Sequence, residues 1–301
     1  MQRRYHAAMS LMDRIAECTA HDLNRFIPFH VAGADLGWVR RDWLETLGSI
    51  RDETGALIFD ETEQRVALSD RYTTFSERSA AMDQVVHALQ DIGLVPRMGH
   101  ELYPVVTRFG APPYLALERA AMPAFGAPAF GVHMHGFVRK PEGMHMWIAR
   151  RSSRKVTFPG MLDNLVAGGQ PIGISLEENL IKECAEEADI PAELARCARY
   201  TGSISYRLEI DQGLRNDTLF LYDLEVSDDF IPQNTDGEVE SFELWPIEKV
   251  LRRIAQAPEF KFNCNLTLLD FLLRHGVLDA THPEYDAVRT ALPVSSRENN
   301  S

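Results

Sequence analysis

Residues 167–174 read AGGQPIGI and run directly into 175–191, SLEENLIKECAEEADIP, the strongest helical pattern in the chain. Ser175 is a good N-cap, and Glu178 three residues on completes a reciprocal capping box. Pro191 stops the helix, and Asp189 can take the left-handed cap position. At about 100° per residue from Glu183, Glu186 falls near roughly 300° and Glu187 near roughly 40°; Leu180, Ile181, Cys184, Ala185 and Ala188 cover roughly 60–200°. Three carboxylates are therefore expected on one stripe opposite the packed face.

Between Ser175 and Ile190 six acids stand against one cation, Lys182. Acids this close call for a counter-ion, and Mg²⁺ or Mn²⁺ takes carboxylate oxygens while bringing phosphate oxygens with it. A solvated acidic face is the plain alternative for a Glu-rich stripe. The preceding turn weighs against it, because Gly168 and Gly169 let a backbone approach a phosphate where a side chain would clash.

Outward from this segment, VHMHGFVR and HMWIARRS read as a hairpin about the turn KPEG at 140–143, and RYTGSISYRLEI and TLFLYDLEV read as later strands. Strands, a glycine loop, a helix and more strands indicate a mixed sheet with helices packed on it. Before residue 100 the pattern is of short helices, LMDRIAECTAHDLNRF, WVRRDWLETL and SERSAAMDQVVHALQDIG. In the last, Ala81, Val85, Val86 and Leu89 recur at helical spacing and Gly93 marks the stop. Gly, Pro and Ala accumulate over 108–132, which places a joint near residue 125. The expectation is an α+β chain of three parts: a small N-terminal α+β accessory domain over 1–125, a catalytic domain over 126–285 and a C-terminal tail over 286–301, frayed at SSRENNS.

Length and charge bound the function. At 301 residues and 34.0 kDa two domains are expected. A net charge of −13 argues against a broad nucleic-acid or anionic-membrane surface. Cys18, Cys184, Cys197 and Cys264 form no C-x-x-C, so neither zinc nor a disulfide framework is indicated, and a reducing cytoplasmic setting fits. Asp13 and Glu17 interrupt any signal-like apolar run, leaving a surface helix at the N-terminus, and no stretch is long and apolar enough for a membrane span. The oligomeric state stays open.

With Gly169, Lys182, Glu183, Glu186 and Glu187 in place, the chain resembles the Nudix hydrolases, whose signature is a Gly, a loop Glu, then R-E-x-x-E-E and a closing Gly. Measured from Gly169 the loop is one residue short, Ile174 stands where the loop Glu would be, Lys182 replaces Arg and Asp189 replaces the final Gly. PGMLDNLVAGGQPIG, GVHMHGFVR, DGEVESFEL and EFKFNCNLTLLDFLLRHG, with GADLGWVRRDWL, RMGHELYPV and LERAAMPAFG in the N-terminal half, resemble the Nudix branch fused to fungal thiamine pyrophosphokinases. That resemblance covers roughly residues 15–285. It implies a Nudix α/β/α sandwich and metal-dependent hydrolysis of thiamine diphosphate-like compounds, favouring oxidised or damaged forms and yielding monophosphate and phosphate. Another nucleoside diphosphate derivative as substrate, or a non-catalytic diphosphate-binding module, are the alternatives.

The expected metal ligands are Glu183 and Glu187, with Glu186 a third ligand or base and Lys182 orienting them. The resemblance implies a further Glu outside the helix, for which Glu238 and Glu240 stand as candidates. Arg150, Arg151, Arg154 and Lys155 offer cations, of which Arg151 and Lys155 are candidate phosphate contacts beside Gly168 and Gly169. His133 and His135 share one face of a strand, and His133 is a candidate substrate contact. Trp38, Trp43, Tyr103, Phe137, Trp147 and Tyr206 could stack on a ring, though most belong to cores. Cys184 faces the packed side and reads as a small hydrophobe, and no G-x-S-x-G elbow supports serine catalysis.

Overall fold

The computed structural model describes residues 10–60, 62–97, 99 and 101–295. Met98 and His100 of the RMGHELYPV segment, the start of the N-terminal helix pattern and residues 296–301 of the tail lie outside the described residues.

The first helix, α1 (Leu11–Thr19), starts at a Ser10/Asp13 capping box. It is not a surface helix of the N-terminal half. Leu11, Ile15 and Cys18 are buried in the core of the C-terminal half, and Arg14, fully buried, donates through Nε to the Ile254 carbonyl at 2.8 Å. An unexpected burial of this kind has a simple cause, since the apolar stripe of α1 had no partner within its own half.

The N-terminal half continues with β1 (Phe26–Val31), β2 (Ala34–Arg40), α2 (Leu44–Thr54), β3 (Leu57–Asp60), β4 (Arg65–Leu68) and α3 (Phe75–Asp91). Its four strands lie in the order β2-β1-β4-β3, with β1 and β4 parallel. Trp38, Val39 and Arg40, expected as helix, lie in β2, where alternating burial decides the conformation; Arg41–Trp43 form a 3-10 turn that leads into α2. The helix α3 begins at a Thr74/Glu77 capping box and buries Ala81, Val85, Val86 and Leu89 as the spacing indicates. A small antiparallel pair, β5 (Leu102–Val105) with β6 (Leu115–Glu118), closes this half. Its core extends to Ala127.

The C-terminal half holds β7 (Ala129–Lys140), β8 (Gly143–Arg151), β9 (Leu162–Asp163), β10 (Val166–Gly169), α4 (Leu176–Ala188) and α5 (Ala192–Ala195). It continues with β11 (Arg199–Ile210), β12 (Gly213–Glu225), β13 (Val239–Pro246), α6 (Ile247–Gln256), α7 (Cys264–Arg274), α8 (Tyr285–Ala291) and β14 (Val294–Ser295). The sheet order is β13-β8-β7-β12-β11-β14, with β10 on β7 and β9 on β8; β7 and β12 run parallel. One face packs on α4 and α5, the other on α1, α6, α7 and α8, giving the expected helix–sheet–helix sandwich. No helix among the described residues is long and apolar enough to cross a membrane.

Strand β7 positions the site by changing partners. Its residues 131–134 pair with β10 and its residues 137–140 with β8, so the sheet forks between them. Gly136 allows the fork, because a Cβ there would fall inside the Leu165 side chain that crosses it.

Candidate active site

Helix α4 is built as its sequence dictates. Ser175 Oγ accepts from Glu178 N at 3.2 Å, Glu178 Oε2 accepts from Ser175 N at 2.7 Å, and Asp189 holds the left-handed cap at φ 53°. The helix lies against β10, and that contact rearranges the expected acidic stripe. Glu183 and Glu187 are buried, at 8% and 7% exposure, and only Glu186 stays half exposed. A purely solvated acidic face is thereby excluded.

The two glycines explain how carboxylates can be buried there. They form strand β10 rather than an open loop. A Cβ on Gly168 would sit within the Glu183 carboxyl group, and one on Gly169 within the Tyr103 hydroxyl. Their role in the fold is close approach of side chains to a strand. Gly168 is the residue that Glu183 abuts, so counting from it removes the apparent one-residue shortening of the turn. Asn179, fully buried on α4, donates to the Gly169 carbonyl at 2.8 Å and ties helix to strand.

Glu187 Oε2 accepts from the Ala167 N–H at 2.8 Å; Oε1 has no hydrogen-bond partner among the described residues. Burial, reinforced by the neighbouring charges of Asp163, Glu183 and Glu238, pushes the Glu187 carboxyl up to about 8 despite that hydrogen bond. Burial also raises Glu183, against the pull of Lys182. Lys182 donates from Nζ to Glu183 Oε1 at 3.1 Å and to Glu186 Oε2 at 2.6 Å. Burial opposes its charge, but the two glutamates outweigh it and raise its pKa. Lys182 thus holds both acids as a point charge, without the fork an Arg would offer.

The remaining candidates divide. Glu238 reaches the site: it is ion-paired with Lys155, its carbonyl accepts from Ser152 N at 2.8 Å, and its charge bears on Glu187. The loop before it is pinned to α4 by Thr235 Oγ1 donating to the Glu186 carbonyl at 2.6 Å. Glu240 does not reach it, lying exposed at the bulge where β13 shifts register against β8. Arg151 is not a free phosphate contact. It is buried and all three guanidinium nitrogens are used, on the Phe158 carbonyl, the Thr157 carbonyl and Asp163 Oδ2 at 2.9 Å. His133 is likewise withdrawn from substrate, 3% exposed, with Nδ1–H donating to Asn164 Oδ1 at 2.8 Å. Burial, with Lys261 nearby, drives its pKa down to about 4, so it is neutral. Cys184 is buried on the packed face, and burial raises its thiol to about 12.

Beneath the fork lies a polar knot that sequence reading missed. Asp163 Oδ1 accepts from Asn164 N at 2.9 Å and from Cys264 Sγ at 2.7 Å, and Lys261 Nζ stands 3.7 Å from Oδ2. Ligand atoms of His133, Asp163 and Cys264 come within 4.8 Å of one another. Their chemistry does not suit a cation. Burial disfavours the Asp163 charge, but Lys261 and Arg151 outweigh it, leaving a carboxylate already neutralised, and Cys264 is held as a thiol. Glu183, Glu186 and Glu187 are three hard oxygen donors on one helix, with Glu187 Oε1 left open, although their oxygens do not gather within 4.8 Å of one another as the knot's ligand atoms do.

Signals for part of this were present. Asn179 in a helix interior is a weak helix former, which points to a side-chain role. Nothing in the sequence joined Tyr103 or Arg119 to Gly169, 66 and 50 positions later.

The NUDIX domain family matches residues 130–266, and a family described as a domain of unknown function, DUF4743, matches residues 8–129. The chain is 42% identical over 276 residues to Nudix hydrolase 20, chloroplastic, of Arabidopsis thaliana, covering 88% of this chain and 73% of that protein. It belongs to the Nudix hydrolases. Nudix hydrolase 24, chloroplastic, of the same plant is 39% identical, with 91% and 75% covered, and an uncharacterized Saccharomyces cerevisiae protein is 30% identical, with 84% and 78% covered. As a Nudix hydrolase the protein is a pyrophosphohydrolase of a family that uses divalent cations and acts on nucleoside diphosphate derivatives. The non-catalytic module is set aside on the same grounds.

Proposed function

We propose that this Nudix hydrolase cleaves thiamine diphosphate-like compounds, favouring oxidised or damaged forms, with Mg²⁺ or Mn²⁺, to the monophosphate and phosphate. The reaction class rests on one observation: Glu187 is buried, anchored by the Ala167 N–H and left with one oxygen open beside Glu183. A divalent ion bound there supplies charge neutralisation of the diphosphate and activation of water. The protein's own groups do the rest. Glu183 and Glu187 present oxygens, with Glu186 as third ligand or base, Lys182 orients Glu183 and Glu186, and Glu238 brings a further carboxylate from the loop beyond β12.

Support for the substrate comes from the ordered motifs that resemble those of the thiamine branch. Phe262 also contacts Phe158 and Tyr206, with ring centroids 5.3 and 5.8 Å away, and Tyr206 donates to Asp217 Oδ2 at 2.7 Å. Tyr206 is buried, whereas the partly exposed Phe158 and Phe262 can stack on a thiazole or pyrimidine. The setting proposed is the reducing cytosol, which keeps the four cysteines as thiols.

Phosphate release from thiamine diphosphate, its oxo and oxy forms and ADP, together with AMP formation from ADP-ribose, with either metal and with Glu187→Gln as control, tests this reading. Turnover of the damaged thiamine forms above the nucleotides supports it. Turnover of nucleotides alone rejects the substrate and leaves the reaction class standing.

A further inference from the structure

We propose that Arg119, carried by the N-terminal half, is a binding residue for the substrate's diphosphate, so that the DUF4743 half completes the Nudix site. The proposal rests on the pyrophosphohydrolase activity and not on the thiamine reading.

The two halves meet at the glycine turn. Ile172 N donates to the Leu102 carbonyl at 2.9 Å, and the Tyr103 hydroxyl occupies the space a Gly169 Cβ would fill. Arg119 follows β6 directly; its backbone N donates to the Glu101 carbonyl at 2.9 Å, and its Cζ lies 5.9 Å from the Tyr103 ring centroid. The same Cζ is 3.6 Å from the Gly169 Cβ position. The guanidinium therefore borders the strand whose other side Glu183 abuts. Partial burial opposes its charge, and Tyr103, Glu101 and Glu183 more than restore it, so it remains a cation at the edge of that strand.

Availability favours it. A diphosphate bound at Glu183 and Glu187 needs cationic donors besides metal. Arg151 has all three nitrogens committed, Lys155 is paired with Glu238, and Lys182 is shared by Glu183 and Glu186. Arg119 uses one nitrogen, Nη1, on Glu101 Oε2 at 2.9 Å. Nε and Nη2 have no hydrogen-bond partner among the described residues, and the side chain is 50% exposed. Glu101 fixes one arm of the fork and leaves the other two donors for phosphate oxygens, the bidentate geometry in which Arg excels.

The test uses the full chain, Mn²⁺ binding by water-proton relaxation, and calorimetry with imidodiphosphate as a non-hydrolysable probe. Arg119→Gln is expected to bind Mn²⁺ like wild type and imidodiphosphate roughly tenfold or more weakly, the value of a charge-assisted contact. Arg119→Lys should recover part of that loss. In turnover, KM rises by a similar factor while kcat changes less. Glu101→Gln frees the fork and should bind the probe at least as tightly as wild type. If the Arg119–Glu101 pair were only structural, both single variants would weaken binding alike, and that result overturns the proposal even if Arg119→Gln folds poorly. Full probe affinity in Arg119→Gln, or no probe binding by Mn²⁺-loaded wild type, also overturns it. Wild type that binds no Mn²⁺ refutes the metal site, and this proposal with it.

Discussion

Glu187→Gln should inactivate the enzyme and, without metal, make it more stable. The folded carboxyl sits at about 8 against an ordinary 4.5, because it is buried among acids. Its folded value lies above its unfolded one, so the stability it contributes is complete below about pH 4.5 and is lost as pH rises through about 8. At pH 7 that loss amounts to about 3 kcal/mol. A Gln at 187 has the shape of the protonated Glu, keeps an oxygen for the Ala167 N–H and never ionises. The variant's advantage should therefore be near zero at pH 4.5, grow through neutrality and level off above pH 8. In thermal unfolding with chelator at pH 7.5 it should appear as a rise of roughly 5 °C or more in Tm. Added Mn²⁺ should reverse the order, stabilising wild type and leaving the variant unchanged. A Tm difference that is absent, or equal at pH 4.5 and 7.5, refutes the assignment of Glu187 as a buried, strained acid held ready for a cation.

Three further outcomes follow from the packing. Gly168→Ala drives a methyl group into the Glu183 carboxyl, so phosphate release should fall by about a hundredfold or more and Mn²⁺ affinity with it, while far-UV circular dichroism is unchanged. Lys182→Met removes the cation that holds Glu183 and Glu186, so kcat should fall roughly tenfold or more, and Lys182→Arg should retain or improve activity in the same assay. Asp223, buried between β12 and α7, accepts from Arg274 Nη2 and His275 Nε2 at 3.0 Å and from His135 Nδ1 at 3.3 Å. Burial works against its charge, but His135, His275 and Arg274 outweigh it and hold its pKa well below the carboxylate range. Asp223→Asn should cost about 3–5 kcal/mol in denaturant titration at neutral pH, a loss that persists down to about pH 4 and shrinks only as pH falls further toward the folded value.

What the sequence determined by itself was local. Capping boxes and periodicity are written in neighbouring residues, so α3 and α4, the β7–β8 hairpin and the left-handed Asp189 are legible in the order of amino acids alone. The residue types of α4 likewise raised the expectation of a divalent-cation site, because closely spaced acids repel unless a counter-charge offsets them. Only the tertiary structure decided which acids are buried, since the exposure of Glu183 and Glu187 depends on how closely β10 approaches α4, and that closeness depends on the two glycines. It also withdrew Arg151 and His133 into the knot around Asp163, and sent α1 to the far half of the chain. Above all it set Tyr103 and Arg119 beside Gly169. Contacts between residues so distant in sequence are fixed by the packing of two halves, and no window of neighbouring side chains carries that information.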